Sequence, residues 1–141
     1  LDAVYLGMGL HDVSALSVFD GLHDYGVFTT FRPGLLYQST EKAIRAYSLT
    51  HLSEAPKVYV ATLQPGYDDR TIPGREGLYW ARRDGDSYRY TFEAAMKSEP
   101  DWLCITSWNE WWEHTYIEPS VRYNDLYLRL TRQFADAWKG P

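Results

Sequence analysis

The chain has one cysteine, Cys104, so no internal disulfide can form. It has no run of lysine or arginine, and its formal net charge is −5. Phosphate backbones need a basic footprint, so no nucleic-acid partner is expected. No apolar run approaches the roughly 20 residues of a membrane span. There is no phosphate-cradling glycine loop and no serine-centred nucleophile elbow. His-x-His and His-Glu-x-x-His are both missing, and His11, His23 and His51 lie far from His114 in sequence. His114 with Glu110 and Glu113 could supply metal ligands, but the spacing gives little support, so no metal or other cofactor is expected. Cys104 sits within an apolar strand pattern and is expected to be a buried, inert thiol. Internal repeats and low-complexity linkers are absent. The chain opens on Leu1 with no signal-like segment, and so reads as a piece of something longer. The compartment stays open, with the cell exterior, the periplasm and the secretory pathway as candidates.

What is abundant is aromatic. Tyrosine occurs 12 times and tryptophan 6 times, many of them beside acids and glycines rather than inside apolar runs. That placement suits a cleft better than a core. The densest stretch is Ile105–Glu118, which holds three carboxylates, three tryptophans, an asparagine, a histidine and a tyrosine. Acids that move protons at a glycosidic oxygen, beside flat rings that stack on sugar faces, are what glycan cleavage needs. An oligosaccharide or polysaccharide is therefore the expected partner.

The pattern along the chain alternates strands and helices. Val4–Leu10 reads as a buried strand closed by His11 and Asp12, and Leu16–Phe19 as a second short one. Ser39 reads as an N-cap for a helix to Leu52, with Ile44, Tyr47, Ser48 and His51 on one face. Val58–Leu63 is a β-branched strand apolar on both faces, as in a covered parallel sheet. A long loop then runs to about Tyr88. Thr91 would cap a helix Phe92–Ser98, with Phe92, Ala95 and Met96 inward. Trp102–Ser107 is the next strand. Leu126, Leu130, Phe134 and Trp138 are spaced by four, which predicts a final amphipathic helix. Each strand ends in polar, acidic or glycine-rich residues, the position of active-site loops in a (β/α)8 barrel. About four βα units in one partial unit, 1–141, make half of such a TIM-type barrel.

Glu110 and Glu113 are three apart. If Ser107–His114 turns helically, both carboxylates lie on one side, roughly 5–6 Å apart at Cβ, which suits two acids flanking one bond. Trp108, Trp111 and Trp112 are stacking candidates, of which at least one is expected to pack in the core. Asn109 could bond a hydroxyl or hold Glu110. Glu118 could bind a sugar or pair with Arg122, and the pair is favoured. His23, Asp24 and Tyr25 follow a strand end, the place for a subsite. Tyr67, Asp68 and Arg70 form a second polar loop, where Asp68 or Asp69 could pair with Arg70.

Thr106-Ser-Trp-Asn-Glu-Trp-Trp-Glu-His-Thr-Tyr-Ile-Glu118 resembles the signature of glycoside hydrolase family 99, the endo-α-mannosidases, and of family-99-like proteins. Phe19-Asp-Gly-Leu-His-Asp-Tyr25, Gln64-Pro-Gly-Tyr-Asp-Asp-Arg-Thr-Ile72 and Leu126–Arg132 are similar to further family segments in the same order. The resemblance implies the C-terminal half of a (β/α)8 barrel whose missing N-terminal half is the expected structural partner. It implies a retaining enzyme in which the sugar's own 2-hydroxyl displaces the leaving group. Glu110 then matches the carboxylate that deprotonates that hydroxyl, Glu113 the acid/base, and Tyr25 a tyrosine of the reacting subsite. The chain departs from the family pattern at Trp112, His114 and His23, which bears on mannose specificity. The alternative is a non-catalytic, glycan-binding or polysaccharide-biosynthesis-associated domain of the same fold.

Overall fold

The computed structural model describes residues 3–10, 12–27 and 32–140; His11 lies outside them. Four strands, β1 (Leu6–Met8), β2 (Gly21–His23), β3 (Val58–Leu63) and β6 (Trp102–Ile105), form one parallel sheet in the order β1-β2-β3-β6. Parallel neighbours need crossovers. Helix α1 (Pro33–Thr50) joins β2 to β3, and α2 (Asp86–Met96) lies between β3 and β6. A two-stranded antiparallel pair, β4 (Tyr67–Asp68) and β5 (Tyr79–Trp80), precedes α2, and α3 (Leu126–Lys139) closes the described chain. The result is an α/β part of a barrel.

Side chains alternate across each strand. Leu22, Tyr59, Ala61, Leu63, Leu103 and Ile105 face the helices and pack with Tyr37, Ile44, Tyr88, Ala95, Leu130 and Phe134. Phe134 stacks on Phe92 at 4.3 Å and meets Tyr88 edge-on at 4.9 Å. Three polar ties fix the layers. The Asp101 carboxylate accepts from the Tyr59 amide at 2.8 Å and from both ends of the Arg45 guanidinium, at 2.7 and 3.1 Å. The Tyr37 hydroxyl donates to the Thr62 carbonyl. Gln64, fully buried, accepts from the Val27 amide at 3.0 Å. Gly21 is there because β2 and β3 approach too closely for a side chain. A Cβ at that position would lie 2.3 Å from the Val58 carbonyl oxygen.

The other face is open toward the sheet's edges, at β1 and β6, while Val60 and Thr62 of β3 between them are buried. Met8 is 71% exposed and Trp102 41%, and Cys104 is exposed beside them. The expected burial of Cys104 is thus corrected: β6 is an edge strand covered on one face only, so alternate residues meet solvent. Apolar surroundings still raise its thiol pKa.

Several element boundaries also differ from expectation. Leu16–Phe19 is not a strand. Val13–Ser17 is a short 3-10 turn, closed by the Asp12 carboxylate accepting from the Ser14 amide at 3.0 Å, and the second strand follows at Gly21–His23. Ser39 does not cap α1, which starts six residues earlier with Pro33 in its first turn. The Ser39 hydroxyl instead donates back to the Leu36 carbonyl. Thr91 lies inside α2, buried, with its hydroxyl bonded to Gln64 and Tyr88. The expected long loop is interrupted by β4 and β5. The final helix stands as expected, with Leu130 and Phe134 buried.

Two outcomes follow from the packing. Expressed alone, the chain should self-associate through its bare apolar face and unpaired sheet edges; a monodisperse monomer by light scattering would contradict this. Gly21→Ala in the full-length protein should cost about 1–3 kcal/mol, the usual penalty of overpacking, read as a lower unfolding midpoint.

Candidate active site

The loop after β6 is closed at its neck by its own backbone. The Ser107 amide donates to the Thr115 carbonyl at 2.9 Å, Ile117 to Ser107 at 2.9 Å, and Glu118 to Trp108 at 2.9 Å. The Ser107 and Thr115 hydroxyls meet at 2.8 Å. Residues 108–114 project from this neck. They do not form a helix, as a helical Ser107–His114 would require. A single turn spans Trp111–His114, with His114 in the left-handed region at φ 52°. The Glu110 amide donates to the Ser107 hydroxyl at 3.0 Å, and the Glu110 carboxylate accepts from the Trp112 amide at 3.1 Å.

Neighbouring loops lock this one in place. The buried Thr106 donates its hydroxyl to the Tyr25 carbonyl at 2.6 Å, joining the loops after β2 and β6. The Asp68 amide donates to the Glu113 carbonyl at 2.9 Å, joining β4 to the same loop. Arg82 holds it from behind. Its guanidinium donates to the carbonyls of His114, at 3.0 Å, and Tyr116, and lies 4.4–4.7 Å from the rings of Tyr116, Tyr123 and Tyr127. Gly66 leaves room for it, since a Cβ there would sit 2.6 Å from Arg82 Cγ. The buried Arg82 Nη1 and the buried Tyr127 hydroxyl have no well-aligned hydrogen-bond partner. Burial raises the Tyr127 pKa, and the nearby guanidinium opposes the rise.

Glu110, Glu113 and Tyr25 come together at the C-terminal ends of the parallel strands. Burial raises the Tyr25 phenol pKa, and the negative charge of Glu113, then that of Glu110, adds to the rise. The phenol also interacts with the Thr115 hydroxyl and the Glu113 carboxylate. Glu113 Oε1 lies 3.3 Å from Arg75 Nη1, with the carboxylate largely sheltered. Beneath it lies Tyr67, buried, donating its hydroxyl to Asp69 at 3.0 Å. Burial, then that hydrogen bond, push the Tyr67 phenol pKa up, with Glu113 adding to it.

The remaining candidates scatter. His23 ends β2, half-buried, and Asp24 offers its carbonyl to the Thr62 hydroxyl. Trp108, Trp111 and Trp112 are all exposed, at 52%, 43% and 70%, as is Asn109, so none of the three indoles packs in the core as expected. Trp111 stacks on Tyr116 at 3.9 Å, and its indole N–H donates to Glu118 at 2.9 Å. The expected Glu118–Arg122 pair is thus replaced by an indole hydrogen bond, and among the described residues no ion pair joins those two. Asp68, not Asp69, pairs with Arg70, at 2.8 Å. His114 lines a separate cavity of about 340 Å³. Among the described residues no three His, Cys, Asp or Glu side chains converge as a metal site, and no helix is long and apolar enough to cross a membrane.

Arg75, Arg82 and Thr115 were not legible as site residues. Each acts on groups distant in sequence or on backbone carbonyls, which carry no sequence signature. Replacing Arg82 by Lys should orphan at least one buried carbonyl, costing about 1–3 kcal/mol. Urea unfolding of the full-length variant reads this, and an unchanged midpoint would sink the clamp.

The sequence profile of glycosyl hydrolase family 99 matches residues 1–138. A glycoprotein endo-alpha-1,2-mannosidase-like protein of Mus musculus is 30% identical, over 89% of this chain and 30% of its own length. The glycoprotein endo-alpha-1,2-mannosidase of Rattus norvegicus is 28% identical, over 86% of this chain and 29% of its own. The GH99 endo-alpha-mannosidase of Bacteroides thetaiotaomicron, solved with Bis-Tris propane, superposes with a TM-score of 0.81 at 26% identity. That match covers 98% of this chain and 47% of the other. The chain thus spans under a third of its curated relatives and about half of the solved one.

Proposed function

The chain belongs to glycoside hydrolase family 99, and on that footing we propose that the protein containing it is a retaining glycosidase of α-linked glycans, endo-α-mannosidase-like. The observation that carries the reading is the meeting of Glu110 and Glu113 around the Tyr25 phenol, at the strand ends where barrel enzymes hold their chemistry. Further strands pair with the free edges of β1 and β6 and so enclose the face that carries Met8 and Trp102.

In the first step Glu110 takes the proton of the sugar's 2-hydroxyl as that oxygen attacks C1. The bond from C1 to the leaving oxygen breaks, and Glu113 gives that oxygen its proton, leaving a 1,2-anhydro sugar. In the second step water adds to C1 and opens the small ring. Glu113 receives the water's proton and Glu110 returns one to the 2-oxygen. Arg75 stabilises the Glu113 carboxylate formed between the steps. Tyr25, kept protonated by its surroundings, donates a hydrogen bond to that same carboxylate. Trp108, Asn109, Trp112, His23 and Asp24 are the groups that meet the sugar, with Trp111 and Glu118 braced against each other behind them. Tyr67 supports Glu113 from below.

Glu113→Gln should nearly abolish cleavage of substrates with poor leaving groups and spare activated aryl glycosides. Glu110→Gln should cripple both classes. General acid–base terms are worth about 10²–10⁴-fold each, so the contrast is measurable in steady-state rates. Full-length protein inert toward every α-linked aryl and disaccharide substrate would favour the glycan-binding alternative. A 2-deoxy or 2-fluoro substrate, lacking the internal nucleophile, should not turn over. A covalent adduct trapped on Glu110 would replace the 2-hydroxyl route with an ordinary carboxylate nucleophile.

A further inference from the structure

Next to the segment that carries Glu113 lies a cavity of about 340 Å³ in which the mechanism uses Tyr67 alone. His114, the next residue, lines it, and so does Asp68, whose amide holds the Glu113 carbonyl at 2.9 Å. Its charge is unlike that of the rest of the chain. Arg70 and Asp68 neutralise each other at 2.8 Å. Arg82, Arg83 and Arg122 remain, against Asp84 alone. None of the three has a carboxylate partner among the described residues. Arg122 lies 5.3 Å from the Tyr123 ring, and Arg82 is bound to carbonyls and tyrosine faces. Two positive charges are thus uncompensated in one concave site of a chain whose formal charge is −5.

Uncompensated guanidinium groups at a cavity rim favour anions, and they recognise carboxylate and phosphate through paired N–H bonds. Trp80 supplies a partly exposed aromatic wall of the kind on which a sugar ring stacks. One face of Tyr79 is already covered by Arg70 at 3.9 Å. Arg83 and Asp84 both sit in the left-handed region, at φ 48° and 49°. Such backbone costs on the order of 1 kcal/mol per residue and persists where the surroundings hold it.

We propose that this cavity is a glycan subsite for a sugar ring carrying an anionic substituent, a carboxylate, sulfate ester or phosphate ester. It rests on the glycosidase reading in supposing that the ligand is a sugar. Arg83 and Arg122 contact the anion, Arg82 supplies field from below, and Trp80 meets the ring.

The test measures binding, not turnover, in the full-length protein. The probes are methyl α-mannopyranoside and its 6-carboxylate, 6-sulfate and 6-phosphate counterparts, titrated by ligand-observed NMR at low and high salt. At least one anionic probe should bind about tenfold or more tightly than the neutral one, a difference of about 1.4 kcal/mol, and lose that advantage at high salt. The three anionic arms tell a planar carboxylate from a tetrahedral group. Arg122→Gln, an exposed change, and Arg83→Asn, which tolerates the left-handed backbone, should together erase the preference. Equal binding of neutral and anionic probes would overturn the proposal, as would a preference that survives both substitutions. An arginine-dependent preference in a protein that cleaves nothing would uphold this subsite while the glycosidase reading fell. Cleavage of neutral glycans with no anion preference would do the reverse.

Discussion

One buried cation organises this molecule. Arg82 enters from the junction between β5 and α2, reaches the carbonyls of His114 and Tyr116, and fills a cage of tyrosines from the segment leading to α3 and from α3 itself. A charge taken out of water is costly unless its surroundings replace hydration. Here carbonyl dipoles and ring faces do so, with no carboxylate partner among the described residues. The loop that carries Glu110 and Glu113 is thereby fastened to the helical layer. The Thr106–Tyr25 and Asp68–Glu113 bonds fasten it to the adjacent loops on its other side.

The two faces of the sheet have opposite characters. The helix side is closed and aromatic, with Tyr59, Tyr88 and Phe134 packed together. The other side shows Met8, Trp102 and Cys104 to solvent. Family membership explains the asymmetry: the chain is a partial barrel, and this is the face that a barrel turns inward. The carboxylates stand at the rim of that interior, where loops from three strands converge.

The elements with strong periodicity were legible. Val58–Leu63 reads as a covered strand because both its faces are buried, and α3 shows its stripe at a spacing of four. The misread pieces are those where local chemistry is weak or ambiguous. β2 is three residues long and begins with glycine, so it has no pattern to detect. Leu16–Phe19 is apolar enough for a strand, but Asp12 turns the chain tightly just before it. The true signal for α1 was Pro33, not Ser39. In the site, Tyr25, Glu110 and Glu113 were visible through the motif. Their supports were not, because Arg75 and Arg82 come from loops without periodicity and Arg82 binds backbone oxygens that any residue would offer.

The loop at the heart of the site owes its shape chiefly to main-chain atoms. Its neck is closed by amide–carbonyl bonds, Asp68 grips the Glu113 carbonyl, and Arg82 grips those of His114 and Tyr116. Side chains at the tip, Trp112 among them, hold none of these bonds. Evolution can therefore redraw the tip one residue at a time without disturbing the carboxylates. The departure at 112 falls in that variable ground, whereas at 114 the left-handed backbone, φ 52°, narrows the choice of residue. A loop built this way can change the surface it presents at its tip while the frame beneath stays fixed.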